Sequence, residues 1–311
     1  MQSRRKFLTQ GSLATAALLT SNTVLAGMGA VEEVQRLTIL HTNDVHSHLE
    51  PFPMDGSKNQ GLGGVAQRAS VIGDIRNEAE HVLLLDAGDI FQGTPFFNLF
   101  KGEPEMKAMS AMGYDAVTIG NHDFDAGMDD LALQLQHADF PILICNYDLG
   151  NTPLKNKYQE HKIFKKGKLR IGVTGVGIEL SGLVPYELFG NTQYLDPIAN
   201  ANRVALKLKK EEHCDMVICL SHLGFRYKND KVSDEVLAAK SENIDLVIGG
   251  HSHTFFEQPL VYRNRIGDDV LVNQVGWAGL VLGRMDFEFS KSKSKKLAKA
   301  HTVVIGKKTR E

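Results

Sequence analysis

The stretch Gly120-Asn121-His122-Asp123-Phe124-Asp125 sets an Asn, a His and two Asp directly after Tyr114-Asp115-Ala116-Val117-Thr118-Ile119. That preceding run is short, apolar and β-branched, and reads as a buried strand. Four other apolar runs end in similar groups: Asp44/His46, Asp89, His222 and His251/His253. In α/β folds the carboxyl ends of strands are where ligands bind. A single Asp or His after a strand is usually a turn or cap residue. Five such clusters, each placed after an apolar run, point instead to a metal site built from sheet loops.

Asp, His and Asn ligands without Cys suit Mn, Zn, Fe, Mg or Co rather than a soft-metal centre. Asp44 and His46 alternate by two, so both can reach one ion from an extended loop start; His251 and His253 repeat the spacing. With Asp89, Asn121 and His222 there are seven candidate ligands. Seven exceed the needs of one tetrahedral zinc and suit two ions about 3.5–4 Å apart that share a carboxylate. Asp89 is the natural bridge, because Gly88 and Gly93 flank it and leave room for close approach. His41 belongs to its apolar strand and reads as a packed neighbour. His48, Asp86 and Asp123 read as loop groups around the ligands. Gly61-Leu62-Gly63-Gly64 resembles a phosphate cradle but lacks the Lys-Ser/Thr of a P-loop. It reads as a flexible loop entering a helix, with Arg68 a further candidate for substrate contact.

The elements that must position these groups alternate in type. Strands are expected at 36–41, 81–85, 114–119, 141–146, 215–220 and 245–248. Helices are expected at about 63–80, 103–112, 128–137, 197–212 and 233–240. Lys166-Gly167-Lys168 turns a hairpin over 161–176, and 261–305 is strand-rich. A βα first half with a β-rich end implies a mixed α/β fold of two packed sheets with helices outside. The lysines at 291, 293, 295, 296 and 299 read as a solvated loop.

The chain has 311 residues, 42% hydrophobic and 23% charged, with a formal net charge of -2. That length affords a sizeable core, and that charge gives no electrostatic footprint for nucleic acid. Ser3-Arg4-Arg5-Lys6-Phe7-Leu8 resembles a twin-arginine export signal, followed by a weakly apolar run and Val24-Leu25-Ala26. Residues 1–26 therefore read as a signal peptide cleaved after Ala26, with residues 27–311 as the mature domain in the periplasm or outside the cell. The run is too short and polar to remain as a membrane anchor. Of the three cysteines, Cys214 and Cys219 share a strand roughly 16 Å apart at about 3.3 Å per residue. They cannot pair with each other, and three buried thiols is the favoured state.

Asp44-Val45-His46, Gly88-Asp89 through Gly93-Thr94-Pro95, Gly120-Asn121-His122-Asp123, Ser221-His222-Leu223-Gly224 and Gly249-Gly250-His251-Ser252-His253 together resemble the calcineurin-like metallophosphoesterases. The Phe91-Gln92-Gly93-Thr94-Pro95 and Phe124-Asp125-Ala126-Gly127 details are similar to the secreted 5'-nucleotidase branch. The resemblance covers about Leu37 to Leu282, with all five blocks in family order. It implies a four-layer αββα sandwich with a dimetal site at the strand ends. It implies that Asp44, His46, Asp89 and His253 hold one ion, and Asp89, Asn121, His222 and His251 the other. His122 would be the catalytic histidine, oriented by Asp125, with Asn121 and His122 also touching substrate.

The two ions would acidify a water for in-line attack on phosphorus, and His122 would protonate the leaving oxygen or stabilise phosphoryl charge. The expected substrate is a small phosphoester, a nucleotide foremost; cyclic nucleotides, UDP-sugars and sulfur esters are alternatives within the family. A non-catalytic metal-bound subunit is the alternative outside enzymology. The secreted 5'-nucleotidases carry a second, nucleoside-gripping domain that this sequence does not include, so a separate nucleoside-binding protein is a possible partner. Without it, an open cleft is expected, with few walls around the leaving group.

Overall fold

The computed structural model describes residues 34–292 and 294–306; residues 1–26, expected from the sequence to be a signal peptide, lie outside the described residues. Strand β1 (Gln35–Thr42) is buried without interruption from Leu37 onward, the mark of a central strand covered on both faces. Helix α1 (Val65–Glu78), β2 (Val82–Asp86), α2 (Pro95–Phe100), α3 (Glu103–Met112) and β3 (Ala116–Val117) follow. Next come α4 (Met128–Gln134), β4 (Tyr147–Asp148), the hairpin β5 (His161–Lys166) and β6 (Leu169–Val176), α5 (Tyr186–Phe189) and β7 (Gln193–Tyr194). The remainder is α6 (Pro197–Leu206), β8 (Met216–Ser221), α7 (Asp234–Lys240), β9 (Leu246–Gly249), β10 (Leu260–Arg263), β11 (Asp269–Asn273), β12 (Val281–Phe289) and β13 (Lys295–Val304).

Two mixed sheets result, ordered β13-β12-β1-β2-β3 and β10-β11-β9-β8-β6-β5. Strands β1, β2 and β3 are mutually parallel, as are β6, β8, β9 and β11. Alternate side chains decide the layers. Leu37, Ile39, Leu83 and Leu85 of the first sheet meet Ile171, Val173, Ile218 and Leu220 of the second in one buried cluster. The residues between them point the other way. Leu40 and Leu84 pack on Ile72 of α1 and on Met106 and Met109 of α3. Val217, Cys219 and Val247 pack on Ala201 and Val204 of α6 and Leu237 of α7. This is the expected αββα sandwich.

Several elements differ from the sequence reading. The segment 141–146 is not a strand. It bridges Val117 at the edge of the first sheet and then donates from Cys145 N to Gly175 O of the second, too briefly on either for a ladder. Helix 197–212 passes into a π turn at Lys207–Glu211. Helix α2 was missed, although Pro95 at its first turn is a start signal. Lys295, Lys296 and Lys299 lie on the edge strand β13 rather than in a loop, where charge deters edge-to-edge pairing. All three cysteines are free and buried.

Candidate metal centre

The parallel strands of both sheets carry their carboxyl ends to one edge, and backbone hydrogen bonds lock the loops that leave them. Asp44 N and His46 N donate to Gly88 O and Asp89 O at 2.9 and 3.0 Å. Asp44, His46, Asp89, His251 and His253 all adopt left-handed backbone conformations, with φ between 51° and 68°. Non-glycine residues pay roughly 1 kcal/mol or more for this. The strain is concentrated at residues whose side chains it aims inward.

Among the described residues two candidate ligand groups form. Asp44, His46 and His253 make one, Asp89, His222 and His251 the other, the ligand atoms of each lying within 4.8 Å of one another. His253 Nε2 is 3.3 Å from Asp44 Oδ1. Asn121 joins the second group through Oδ1, 2.8 Å from His251 Nδ1. Asp89 Oδ2 stands 3.0 Å from His222 Nε2 and 3.9 Å from His46 Nε2, between the groups.

The residues fit divalent cations. His222 donates from Nδ1 to Ala87 O at 2.7 Å, which leaves its Nε2 as a lone-pair donor. That Nε2 is fully buried and makes no aligned hydrogen bond, despite the nearby Asp89 carboxylate. Atoms that converge on a shared point, rather than on each other, behave this way. His46 Nε2 and His253 Nε2 lie 3.1 Å apart, while His46 Nδ1 faces Phe91 O at 3.2 Å. With Nδ1 donating to Phe91 O, His46 Nε2 keeps a lone pair, and the two Nε2 atoms, within hydrogen-bond distance of each other, are close enough to serve one cation.

Burial opposes charge on Asp89 and His222, but their mutual attraction prevails: Asp89 is held below the usual carboxylate range and His222 is lifted to about 10. An ion bound at Nε2 would take the place of that proton. Burial, helped by His222, lowers His251 to about 4, so it is a neutral ligand.

His122 lies at the rim, its side chain 40% exposed and its ring 5.3 Å from that of His46. Its Nδ1 is 2.8 Å from Asp125 Oδ2, and its backbone N–H donates to Asp89 Oδ1 at 2.8 Å. The Asp125 hydrogen bond raises its pKa above the ordinary imidazole value, against the pull of burial. The dyad thus favours a protonated imidazole close to the candidate ligand groups.

Asp123 does more than occupy the surroundings. It accepts from Gly120 N, Asp89 N, Ile90 N and Phe91 N at 2.8–3.1 Å, fastening the loop after β2 to the loop after β3. Asp86 accepts from Thr42 Oγ1 at 2.6 Å and Gly88 N at 2.8 Å. The glycines are required by contact: a Cβ on Gly120 would lie 2.2 Å from Asp89 Oδ1. Sequence reasoning missed Asn43, whose Nδ2 donates to Asp44 Oδ2 at 2.6 Å. It also missed Trp277, which stacks parallel to His253 at 5.9 Å. Neither carries a local signal.

Arg68 is a correction. It is 1% exposed, underneath Gly279, with its charge felt by Asp86 and Tyr114. A guanidinium sealed there cannot meet a substrate. The loop before it is no free cradle either, since Gly63 bridges Pro51 and Leu62 bridges Gly306. His41 is fully buried and accepts from Asn273 Nδ2 at 3.0 Å. His48 stacks on Phe52.

Two face-packed sheets inside helices, with carboxylates and imidazoles gathered at one edge, define a metallophosphoesterase. Residues 37–255 match the calcineurin-like phosphoesterase family, and the chain belongs to it. A snake venom 5'-nucleotidase of Gloydius brevicauda is 38% identical over 230 residues, covering 70% of this chain and 37% of that protein. The 5'-nucleotidase of Vibrio cholerae is 33% identical over 308 residues, covering 89% and 54%. The solved 5'-nucleotidase precursor of Thermus thermophilus superposes with a TM-score of 0.77 at 31% identity, over 88% of this chain and 55% of that one. The chain spans about half the length, or less, of the curated relatives it matches.

Proposed function

We propose that this chain is an exported, dinuclear-metal hydrolase of phosphate esters, nucleoside 5'-monophosphates foremost. The observation that carries the reading is the position of Asp89 Oδ2 between the two ligand groups, with the His122–Asp125 dyad beside it. Asp44, His46, Asp89 and His253 would hold one ion, and Asp89, Asn121, His222 and His251 the other. Divalent ions, when bound, supply the Lewis acidity that activates water and neutralises phosphate charge. The protein's own part is to place and protonate. The raised pKa of His122 keeps a proton available at Nε2 for the leaving oxygen, while Asp125 holds Nδ1 and fixes the ring. Asn121 Oδ1 is a neutral ligand and adds no charge to repel phosphate.

The family match and the 5'-nucleotidase relatives support the substrate class. The Arg4-Arg5 motif and Val24-Leu25-Ala26 support export by the twin-arginine route. Among the described residues no helix is long and apolar enough to cross a membrane. The test is hydrolysis of a panel of phosphomonoesters, phosphodiesters and nucleotides, each with Mn, Zn, Mg or Co. Release of phosphate from monoesters is the expected result. Inactivity on the whole panel with every metal overturns the reading.

A further inference from the structure

The file of rings at the ligand groups runs on past the ligands. Trp277, the one tryptophan of the chain, lies parallel to His253 at 5.9 Å. His48 meets Trp277 edge-on at 5.3 Å, and Phe52 lies flat on His48 at 5.1 Å. These two rings enter the wall of a cavity of about 420 Å³, together with Phe96 and Leu99. Small-molecule sites have about this size, roughly 300–1,000 Å³. Ser47, His48 and Leu49 contribute to its wall, so the cavity begins one residue beyond His46. An apolar cavity that the sequence reading did not expect therefore adjoins the loop that carries His46.

The site is built, not a loose fold of loops. His48 Nδ1 faces Val45 O at 3.1 Å and His46 O at 2.8 Å, which fixes the ring and leaves Nε2 as an acceptor. Thr94 Oγ1 donates to Ser47 O at 3.0 Å, tying the start of α2 to the loop that carries His46. Leu99 on α2 is 73% exposed although it stands among Phe52, Phe96 and three prolines. Leaving large apolar side chains open to water forgoes about 25 cal/mol per Å² of burial. Apolar surface kept open on the loop that carries His46 marks a place for a ligand. Among the lining residues the charged one is Glu50, an acid, which disfavours a second phosphate there.

We propose that this cavity is the leaving-group subsite, taking a flat aromatic group such as the base of a nucleoside monophosphate while the phosphate sits at the ligand groups. The inference rests on the phosphoesterase reading. Flat rings favour stacking and edge contacts, which accept any base. Recognition of the base would then be partly a property of this chain itself.

The test compares adenosine 5'-monophosphate with ribose 5-phosphate, which share the primary alkoxide leaving atom and differ by the base. The wild type is expected to favour the nucleotide by about tenfold in kcat/KM, mostly through KM, as one stacked base contributes. Phe52→Ala and Leu99→Asp should each bring the ratio toward one; the exposure of Leu99 makes its replacement safe for folding. A readout independent of turnover is the fluorescence of Trp277. Adenosine, which lacks phosphate, should quench it in the wild type and much less in Leu99→Asp. Equal kcat/KM for the two esters in the wild type overturns the subsite alone, as does a ratio that survives both substitutions. Hydrolysis of neither ester with any divalent ion overturns the phosphoesterase reading and the subsite with it.

Discussion

At the scale of single residues the proposed roles divide between Asp89 and His122. Asp89 Oδ2 faces His222 Nε2 and His46 Nε2 from one atom, so its loss should reach both groups. Asp89→Asn is expected to leave less than one full equivalent of metal at either position after dialysis, measured as metal per chain. His253 belongs to one group and its side chain is 41% exposed; His253→Ala should give up one equivalent and keep the other. Two full equivalents in Asp89→Asn would show that it bridges nothing. For His122→Ala the expected result is unchanged metal content and turnover reduced by about 10²–10⁴-fold, the range for one acid–base group. The loss should shrink on p-nitrophenyl phosphate, whose leaving oxygen needs little protonation. An equal loss on good and poor leaving groups would assign His122 to stabilising phosphoryl charge instead.

Elements bring these residues together through the loops after β2 and β3, and Asp123 is their fastener. Its carboxylate accepts four backbone N–H groups, three from residues 89–91 and one from Gly120. Truncation leaves those donors buried without an acceptor, at about 1–3 kcal/mol for each such group. Asp123→Ala should therefore lose about 3 kcal/mol or more in urea unfolding and bind metal more weakly. Unchanged stability would mean that water replaces the carboxylate. Gly120→Ala probes the same approach from the other side. Its methyl group would meet Asp89 Oδ1 at 2.2 Å and the His222 ring at 2.6 Å. It should empty the second ligand group, seen as a drop in metal per chain, while the helical and sheet signals in circular dichroism persist.

Across the whole molecule the ligand groups join the two sheets at one edge. Asp44 and Asp89 follow strands of the first sheet, and His222 and His251 follow strands of the second. Ions held between them would act as a clasp on the αββα sandwich. A ligand at about 100 times its Kd stabilises the folded state by about 2.7 kcal/mol per site. Thermal unfolding should accordingly show a Tm that falls when a chelator is added and recovers with added divalent ion. A Tm indifferent to the chelator would mean that no ion bridges the sheets.

By itself the sequence determined what is local. The apolar runs, the polar groups at their ends and the glycines beside Asp89 are all readable within a few residues, and they pointed to two packed sheets with helices outside and to a set of candidate ligand types; the four-layer αββα order was implied by the family resemblance. The breaks in that reading share a cause. His251 N meets the Asp44 carboxylate across 207 positions of chain, a distance over which spacing carries no information. Arg68 looked like a cleft residue because glycines precede it; only packing under Gly279 shows it sealed. Asp123 differs from any loop Asp only by the four amides that two separate loops turn toward it. Trp277 gains its place against His253 from the loop after β11, and the cavity beyond it exists only where α2 and the loop after β1 come together. Residue types set which chemistry is available. Tertiary structure decided which groups share a point in space, because contacts between distant segments depend on how the sheets pack and leave no periodic trace in the chain.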